Sequence, residues 1–435
     1  MNTQVVIAGG TPLRGRVRVP GDKSISHRAL LFAALAEGTS RVRHLSSGED
    51  VARTGALVDA LGARVRELPG DDVAVAVASP GVDALREPNA VVDCGNSGTT
   101  MRLGLGLLAG RPFHAVLTGD DSLVRRPMAR VAEPLRTMGA RVDGRDGGNF
   151  APLAVRGGAL HALRYELPVA SAQVKSSLML AGLQAAGTSE IVEPAPTRDH
   201  SERMLAAFGA PVTHDRESRT VRVERGAPNA FELDVPGDPS SAAFFVVAAC
   251  LTPGSDVVVE DVCLNPTRIA FVDVLARMGA DVEVRVTGER AGEPVGEIHA
   301  RASALRGAVV AGDEVPSLID EIPVLAVAAA FADGVTEFHD ARELRVKESD
   351  RIATVQQELS QLGVAVEPRP DGMLVWGGRP RAATLKSHGD HRVAMAGAVA
   401  AVAIEGESIV RGWNAVAISY PAFADDLVAL GGSVA

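Results

Sequence analysis

Several polar loops of this 435-residue chain carry cationic side chains and lead into apolar segments. Lys23 and Arg28 flank one such loop, and His391 and Arg392 lie at another. A helix N-terminus presents unpaired N–H groups and the positive end of the helix dipole, so a polar loop at that point can bind an anion. The chain has a formal net charge of −10 but concentrates cations at these loops. This distribution predicts a small, multiply anionic ligand.

Six loops share this character. Ser, Asp and Asn at the start of a helix most often act as N-caps, so each loop taken alone has a purely structural explanation. Their number, and the cations at several of them, favour anion binding. The six loops are residues 21–24, 95–99, 171–173, 237–241, 319–321 and 389–392.

Two further segments add charged groups. Arg125 and Arg126 follow a turn-like loop, from which a guanidinium can contact a carboxylate or phosphate in bidentate fashion. Residues 345–351 read Arg-Val-Lys-Glu-Ser-Asp-Arg. If this segment is helical, Lys347, Glu348 and Arg351 place an acid and two bases on adjoining faces. A solvated surface helix with internal salt bridges is an equal alternative.

Asp320 and Glu321 are adjacent, so they cannot point the same way from a helix. We expect one to face a cleft and the other to face solvent. Carboxylates repel an anionic ligand, so a scaffold that only binds anions gains nothing from them. Asp320 and Glu348 therefore distinguish an enzyme from a non-catalytic anion-binding scaffold.

An internal repeat positions these loops. A hydrophobic residue followed by Gly ends a segment with helical periodicity and precedes alternating residues, which predicts a helix, a Gly C-cap and a strand. About 40 residues earlier in each repeat, a polar loop leads into a helix that is apolar nearly all round, as a buried helix is. The repeated glycines are Gly62, Gly139, Gly209, Gly279, Gly363 and Gly431.

The repeat also predicts the domain organisation. A unit of roughly 70 to 80 residues recurs six times, with two helices and two strands each and further strands between them. The words Val-Pro-Gly-Asp open both the first and the fourth unit, at residues 19–22 and 235–238. This favours two domains of three units each with a boundary near residue 237. A solenoid is the alternative.

Composition narrows the function classes. Apolar residues make up 46% of the chain, enough for substantial cores, and no secretion signal or membrane span is evident. Cys94, Cys250 and Cys263 have no CxxC spacing, so neither a disulfide framework nor a zinc site is expected. The negative net charge and an aromatic content of only 3% argue against nucleic acid. We expect a cytoplasmic protein.

Six motifs together resemble the 5-enolpyruvylshikimate-3-phosphate synthase family, and the resemblance spans nearly the whole chain. It implies an α/β (α+β) fold of two similar domains, each with three βαβαββ repeats around buried helices, an inside-out α/β barrel. The domains would be residues 21–237 and residues 1–20 with 238–435, with the active site in a cleft that domain closure completes. The motifs are residues 20–29, 95–102, 126–128, 171–173, 345–351 and 390–392.

The resemblance implies that an enolpyruvyl group passes from phosphoenolpyruvate to the 5-hydroxyl of shikimate 3-phosphate. Phosphate is released through a tetrahedral intermediate, in the pathway to chorismate and the aromatic amino acids. No metal or organic cofactor is implied. Each substrate carries a phosphate and a carboxylate, which explains why so many cations would converge. The expected partners are these two small molecules, with no nucleic acid and no membrane, and a monomer is expected.

The family's residues map onto this chain by motif. Catalysis would use Lys23, Asp320 and Glu348: Asp320 at the hydroxyl, Glu348 at the methylene carbon and Lys23 at the departing phosphate. Phosphoenolpyruvate would contact Lys23, Gly98, Thr99, Arg126, Gln173, Arg351 and Arg392. Shikimate 3-phosphate would contact Lys23, Ser24, Arg28, Ser171, Ala172, Gln173, Asp320 and Lys347, with Thr197 and Arg198 as further candidates at its phosphate.

The chain departs from the family pattern at two places. Some members have Ser where Ala172 stands and Lys near Ile418, so those contacts are absent here. The resemblance also suggests competition by glyphosate at the phosphoenolpyruvate site, where Gly98 leaves room that an alanine would fill. The sister enzyme that acts on UDP-N-acetylglucosamine is the closest alternative. It typically has a Cys on the arginine-bearing loop, and none lies between Gly119 and Met128.

Overall fold

The chain forms two compact units in the computed structural model, which describes residues 3–69 and 73–435. It passes from the second unit to the first after Pro20 and returns after Val235. The first unit comprises Gly21–Val235 and Glu289–Glu293. The second comprises the residues up to Pro20, Pro236–Gly288 and Pro294–Ala435.

The strands are short and mostly alternate between buried and exposed side chains, as expected for sheets with one covered face. They are β1 Gln4–Gly9, β2 Arg14–Arg18, β3 Glu37–Arg43, β4 Arg64–Glu67, β5 Val75–Pro80, β6 Val92–Asp93, β7 His114–Thr118, β8 Arg141–Gly144, β9 Phe150–Arg156, β10 Arg164–Glu166, β11 Ser189–Val192, β12 Val212–Asp215, β13 Thr220–Val223, β14 Glu232–Asp234, β15 Asp256–Cys263, β16 Asp281–Arg290, β17 Glu293–Arg301, β18 Val309–Val310, β19 Val335–Phe338, β20 Ala365–Arg369, β21 Gly372–Trp376, β22 Thr384–Lys386, β23 Gly406–Arg411 and β24 Ser433–Val434.

The helices alternate with these strands along the chain. They are α1 Lys23–Leu35, α2 Glu49–Ala60, α3 Gly98–Ala109, α4 Ala129–Thr137, α5 Arg145–Gly148, α6 Ala172–Gly182, α7 His200–Ala207, α8 Pro239–Leu251, α9 Ala270–Arg277, α10 Val315–Leu318, α11 Ile322–Phe331, α12 Arg351–Gln361, α13 His391–Ala403 and α14 Phe423–Ala429.

Within the residues that the structure describes, the strands form six four-stranded sheets, three in each unit, with one recurring strand order. One edge strand pairs parallel with its neighbour, and that neighbour pairs antiparallel with the third strand, as in β6-β7-β9-β8. The other sheets of the first unit are β14-β3-β5-β4 and β10-β11-β13-β12. Those of the second unit are β22-β23-β1-β24, β16-β17-β15-β2 and β18-β19-β21-β20.

At each of the two places where the chain passes from one unit to the other, the last strand before the crossing pairs within the unit that the chain is leaving. The short strand β2 precedes α1 along the chain but pairs in parallel with β15 of the second unit. The strand β14 precedes α8 but pairs in parallel with β3 of the first unit. The first unit therefore completes its repeats with β14 from the C-terminal end of the 21–235 segment, and the second unit with β2 from the residues just before that segment.

The first helix of each repeat is buried, because most of its residues are apolar and they lie on every side of the helix. In α8 every residue from Pro239 to Cys250 is buried, and α11 and α13 are buried almost as fully. These three helices contact one another in the second unit, and in the first unit α3 contacts both α1 and α6. Burial of apolar surface on this scale is the main force that stabilises each unit.

The second helix of each repeat is amphipathic and ends at the repeated glycine. All six of these glycines have positive φ, from 79° at Gly209 to 112° at Gly139. This is the left-handed conformation that a helix C-terminus requires and that glycine adopts at little cost. A strand then follows, as β4 follows Gly62.

The predicted architecture of two sets of three βαβαββ repeats around buried helices is confirmed. The solenoid alternative is wrong, because the buried helices of the second unit all contact one another instead of stacking in a line. In the part of the chain that the structure describes, no helix is long and apolar enough to cross a membrane.

Candidate active site

The polar loops cap the buried helices, as the structural explanation predicts. Five of the six supply a capping side chain that accepts a backbone N–H: Asp22, Ser97, Ser171, Asp238 and Asp390. A cap satisfies only part of the four unpaired N–H groups at a helix start. Capping and anion binding are therefore compatible at these positions, and anion binding stays a prediction.

Lys23 begins α1 in the first unit and is only 19% exposed. Its Nζ lies 3.1 Å from Oδ2 of Asp50, which belongs to α2. Sequence reasoning did not identify Asp50, because no motif links it to Lys23. The ion pair fixes the lysine at the start of α1. Ser24, the next residue, is half-buried.

A chain of hydrogen bonds connects the start of α3 with the start of α6 in the same unit. Gln173 Nε2 donates to Thr99 Oγ1 at 2.9 Å, and Gln173 Oε1 accepts from Arg102 Nη1 at 2.5 Å. Arg102 is 6% exposed and lies one helical turn after Gly98. The structure thus places Gly98 and Thr99 beside Gln173, and Arg102 joins the two helix starts.

Arg126 lies against this loop. Its Nη2 donates to Asn96 Oδ1 at 2.6 Å and to Ser122 Oγ at 3.3 Å. A Cβ at Gly98 would lie 3.0 Å from Arg102 Nη1 and 3.5 Å from Arg126 Nη1. Two guanidinium groups therefore approach the same helix start, and the absence of a side chain at Gly98 makes this approach possible.

Arg28 is buried within α1 and is held by two hydroxyls. Its Nε donates to Ser201 Oγ and its Nη2 donates to Ser176 Oγ, each at 2.8 Å. Burial lowers the pKa of Arg28 to about 10, and the positive charge of Arg198 acts in the same direction. Two cations that repel each other in a buried setting gain stability when an anion binds between them.

Thr197 is buried, and its hydroxyl donates to Glu193 Oε1. Arg198 beside it is half-buried. Ser171 and Ala172 are half-buried at the start of α6, where Ser171 accepts the N–H of Val174 at 3.4 Å. All the predicted residues numbered below 200 thus belong to the first unit.

The second unit holds the predicted carboxylates, and Arg351 connects them. This arginine is fully buried, and its Nη1 donates to Asp320 Oδ1 at 3.0 Å. Its Nη2 donates to Glu348 Oε2 at 2.7 Å, and its Nε donates to Asp390 Oδ2 at 2.8 Å. Burial opposes the charged form, but the three carboxylates outweigh it and raise the pKa of Arg351.

Asp390 was not among the predicted site residues, although it stands in the Asp-His-Arg motif beside Arg392. It is fully buried at the start of α13. Burial alone would raise the pKa of Asp390, but the Arg351 guanidinium holds it below its ordinary value. Asp390 therefore acts as a permanent anion that anchors Arg351.

Two more cations contact Asp320. Lys347 Nζ lies 3.3 Å from its Oδ1, and Arg392 Nη1 donates to its backbone oxygen at 3.2 Å. The expectation that either Asp320 or its neighbour Glu321 faces solvent is wrong. Glu321 is 1% exposed and accepts the hydroxyl of Ser240, because the turn before α11 directs it into the unit.

Residues 345–351 do not form one helix, so the condition under which helical spacing would place Lys347, Glu348 and Arg351 on adjoining faces is not met. A 3₁₀ turn spans Arg342–Val346, Lys347 is extended, and α12 begins only at Arg351 with Asp350 as its N-cap. Asp350 Oδ1 accepts the N–H of Ala353 at 3.1 Å, which ends the preceding loop. The loop places Lys347 and Glu348 around Arg351 without helical spacing.

Comparison with known proteins identifies close relatives. The family model described as EPSP synthase (3-phosphoshikimate 1-carboxyvinyltransferase) matches residues 7–427. A protein of Synechococcus sp. (strain JA-3-3Ab), named 3-phosphoshikimate 1-carboxyvinyltransferase, is 55% identical over 94% of this chain and 93% of its own length. One of Desulforudis audaxviator (strain MP104C) with the same name is 52% identical over 96% and 97%.

Solved structures agree with the sequence relatives. An EPSP synthase structure from Acinetobacter baumannii superposes with a TM-score of 0.87 at 40% identity and covers 99% of each chain. The enolpyruvyl transferase NikO from Streptomyces tendae reaches a TM-score of 0.77 at 20% identity. This second likeness concerns the fold alone.

Proposed function

The chain belongs to the EPSP synthase (3-phosphoshikimate 1-carboxyvinyltransferase) family, and from this we propose how its residues carry out the family's reaction. The enzyme transfers the enolpyruvyl group of phosphoenolpyruvate to shikimate 3-phosphate in the shikimate pathway. In our proposal the 5-hydroxyl is the acceptor. The hydroxyl oxygen bonds to C2 of phosphoenolpyruvate while the methylene carbon takes a proton. The resulting tetrahedral intermediate then loses that proton and expels phosphate.

The two proton transfers require two acid–base groups at the reacting atoms. Asp320 and Glu348 are the candidates, because both contact Arg351 and both keep part of their surface accessible. Asp320 would bind the hydroxyl and accept its proton. Glu348 would deliver a proton to the methylene carbon and take one back. Lys23, in the first unit, would protonate the departing phosphate.

Phosphoenolpyruvate carries a phosphate and a carboxylate, and guanidinium groups match both in geometry. Arg126, beside the open face of Gly98, would bind from the first unit. Arg351 and Arg392 would bind from the second unit, where Asp320 already draws both together. The remaining candidates around this substrate are Lys23, Thr99 and Gln173.

Shikimate 3-phosphate would bind mainly to the first unit. Arg28 and Arg198 supply the positive charge for its phosphate, and the electrostatic repulsion between them favours an anion. Lys347 of the second unit would contact its hydroxyl or carboxylate together with Asp320. Ser24, Ser171, Ala172 and Gln173 complete the proposed contacts, and Thr197 belongs to the proposed set through its position beside Arg198.

Neither unit holds all the groups that the reaction needs. The carboxylates proposed for proton transfer belong to the second unit, and the cations proposed for the shikimate phosphate belong to the first. We therefore propose that turnover needs both units. The observation that carries the catalytic assignment is the connected set of Asp320, Glu348 and Asp390 around Arg351.

The assembly state and location are further parts of the proposal. We propose a monomer, because one chain supplies every group named above. We propose the cytoplasm, because Cys94, Cys250 and Cys263 are all buried and none of them forms a disulfide, as suits a reducing compartment. Light scattering of the purified protein tests the first proposal, and a dimer mass would contradict it.

The decisive experiment is phosphate release from phosphoenolpyruvate, measured with and without shikimate 3-phosphate. We expect release only when both are present, and a fall in kcat of about 10²- to 10⁴-fold in Asp320→Asn and Glu348→Gln. Glu367→Gln is the matched control, since Glu367 lies on β20 in the same unit and is 49% exposed. Substrate binding without phosphate release in the unaltered protein would leave only the anion-binding scaffold.

A further inference from the structure

A buried lysine outside the proposed set forms the centre of a second charged cluster. Lys175 of α6 is 0% exposed, and its Nζ lies 2.8 Å from Glu193 Oε2 and 2.6 Å from Glu202 Oε1. Burial opposes the charged form, but the charges of Glu202 and Glu193 raise the pKa of Lys175. The lysine is therefore a permanent cation that no step of the proposed mechanism uses.

The cluster extends to the arginine proposed for the shikimate phosphate. The charge of Glu202 acts favourably on Arg28, so two buried cations face two buried carboxylates. Ser201, which precedes Glu202 on α7, accepts a hydrogen bond from Arg28 at 2.8 Å. Buried charges are costly unless opposite charges balance them, and the two cations and two carboxylates of this cluster balance each other.

Glu193 connects this cluster to Thr197. Its Oε2 contacts Lys175, and its Oε1 accepts the hydroxyl of Thr197. A threonine hydroxyl has only one proton to donate. Because that proton is donated to a carboxylate, Thr197 cannot also donate to a phosphate, which only accepts.

The contribution of Thr197 to the phosphate site is therefore indirect and concerns the neighbouring residue. Arg198, the next residue, is close enough to Arg28 for its charge to lower the pKa of that arginine. Holding two cations near each other before an anion arrives requires the backbone at Arg198 to be fixed. The hydrogen bond from Thr197 to Glu193 supplies that fixation.

We propose that Glu193, held in place by Lys175, is a positioning residue for the shikimate 3-phosphate half of the site. It fixes the segment Thr197–Arg198 so that Arg198 and Arg28 bind the same phosphate. This rests on the proposed function, because that function assigns the phosphate to Arg28 and Arg198. Glu193 acts through Thr197 and does not touch the substrate.

Two double variants that have the same net charge as each other test the role of Glu193. Lys175→Met with Glu193→Met removes one cation and one anion together, so the buried charge stays balanced, and it also removes the acceptor for Thr197. Lys175→Met with Glu193→Gln makes the same charge change but keeps an acceptor oxygen. We expect KM for shikimate 3-phosphate to rise about tenfold in the first variant and to return to within about threefold of the parent in the second.

KM for phosphoenolpyruvate should stay within about twofold in both variants, since Glu193 contacts none of its proposed ligands. Tyr420→Phe is the stability control, because it removes the partly buried 2.6 Å hydrogen bond from Tyr420 to Asp426 in the second unit. It should lower the melting temperature and leave both KM values unchanged.

Equal KM values for shikimate 3-phosphate in the two double variants would overturn the proposal, as would a parallel rise of both substrates' KM values. If the double variants do not fold, the same comparison can be made between Thr197→Val, which loses the hydroxyl, and Thr197→Ser, which keeps it. An unchanged KM for shikimate 3-phosphate in Thr197→Val overturns the proposal. Failure of this proposal can be told apart from failure of the proposed function. If the proposed function fails, the unaltered protein releases no phosphate. If only this proposal fails, the unaltered protein releases phosphate, and calorimetry shows that the variants bind shikimate 3-phosphate as the parent does.

Discussion

Asp390→Asn is the substitution that most directly tests how the second unit holds its carboxylates together. Asp390 uses both oxygens: Oδ2 accepts from Arg351 Nε at 2.8 Å, and Oδ1 caps α13 by accepting the N–H of Arg392 at 2.9 Å. Ser349 Oγ donates to Oδ2 as well, at 3.1 Å. An asparagine has one acceptor oxygen and no charge, so it cannot keep both the 2.9 Å cap of α13 and the 2.8 Å hydrogen bond from Arg351 Nε.

The expected loss of stability follows from the burial of this pair. Removing one partner of a buried ion pair costs about 3 to 5 kcal/mol. Arg351 keeps Asp320 and Glu348 as partners, so we expect about 3 kcal/mol, the lower end of that range. For a unit of about 200 residues this lowers the melting temperature by about 6 to 12 °C.

The assay is thermal unfolding at neutral pH together with steady-state kinetics. KM for phosphoenolpyruvate should rise, because Arg351 is no longer held at the position from which it would bind this substrate. Asp281→Asn is the matched control: Asp281 pairs with Arg301 at 3.1 Å in the same unit but is 58% exposed. An exposed pair contributes about 0 to 1 kcal/mol, so this melting temperature should change by less than about 4 °C.

The pH dependence gives an independent check. The pKa of Asp390 is lowered in the folded protein, so its contribution is present above the ordinary aspartate range and is lost as the pH falls through the folded value. The gap in melting temperature between the parent and Asp390→Asn should therefore shrink below about pH 4. A gap at neutral pH no larger than that of the control would refute the reasoning that Asp390 anchors Arg351.

Three further outcomes are expected. Gly98→Ala places a Cβ 3.0 Å from Arg102 Nη1 and should raise KM for phosphoenolpyruvate severalfold while kcat is retained. The same change should weaken inhibition by glyphosate by a larger factor than it raises this KM, which steady-state inhibition kinetics measure. Burial lowers the pKa of His27 well below its ordinary value of 6.5, so the free energy of unfolding should fall by about 1.4 kcal/mol per pH unit as the pH drops below 6.5. In thermal unfolding, His27→Asn should reduce this dependence of the melting temperature on pH. Burial raises the pKa of Cys94 and of Cys250 to about 12, so neither thiol should react with Ellman's reagent at pH 8 until the protein is unfolded, and rapid labelling of the native protein would contradict this.

Local patterns predicted much of the fold. The helix, glycine and strand pattern is set by neighbouring residues, so the six repeated glycines could be predicted to end helices, and each has positive φ. The buried helices were likewise predictable, since a segment such as 239–250 has no polar face that could meet water. The strand exchange at β2 and β14 was only partly foreseen, because pairing between distant strands leaves no local signal.

The candidate site was predictable as a set of residues but not as an arrangement. The motifs alone indicated Asp320, Glu348 and Arg351 as site residues, yet the segment 345–351, considered as a possible helix, is the end of a 3₁₀ turn followed by a loop. The partners that fix the charges lie far away in sequence: Asp50 for Lys23, Asp390 for Arg351.

The sequence by itself therefore determined the repeat, the buried helices and the chemical groups available, because these depend on side-chain type and on spacing within one element. Only the tertiary structure decided which charges are buried and which neighbour neutralises each. That depends on burial and on distance between elements, as the direction of Glu321 into the second unit shows. A single sequence records neither quantity, because both arise only when separate helices and loops pack together.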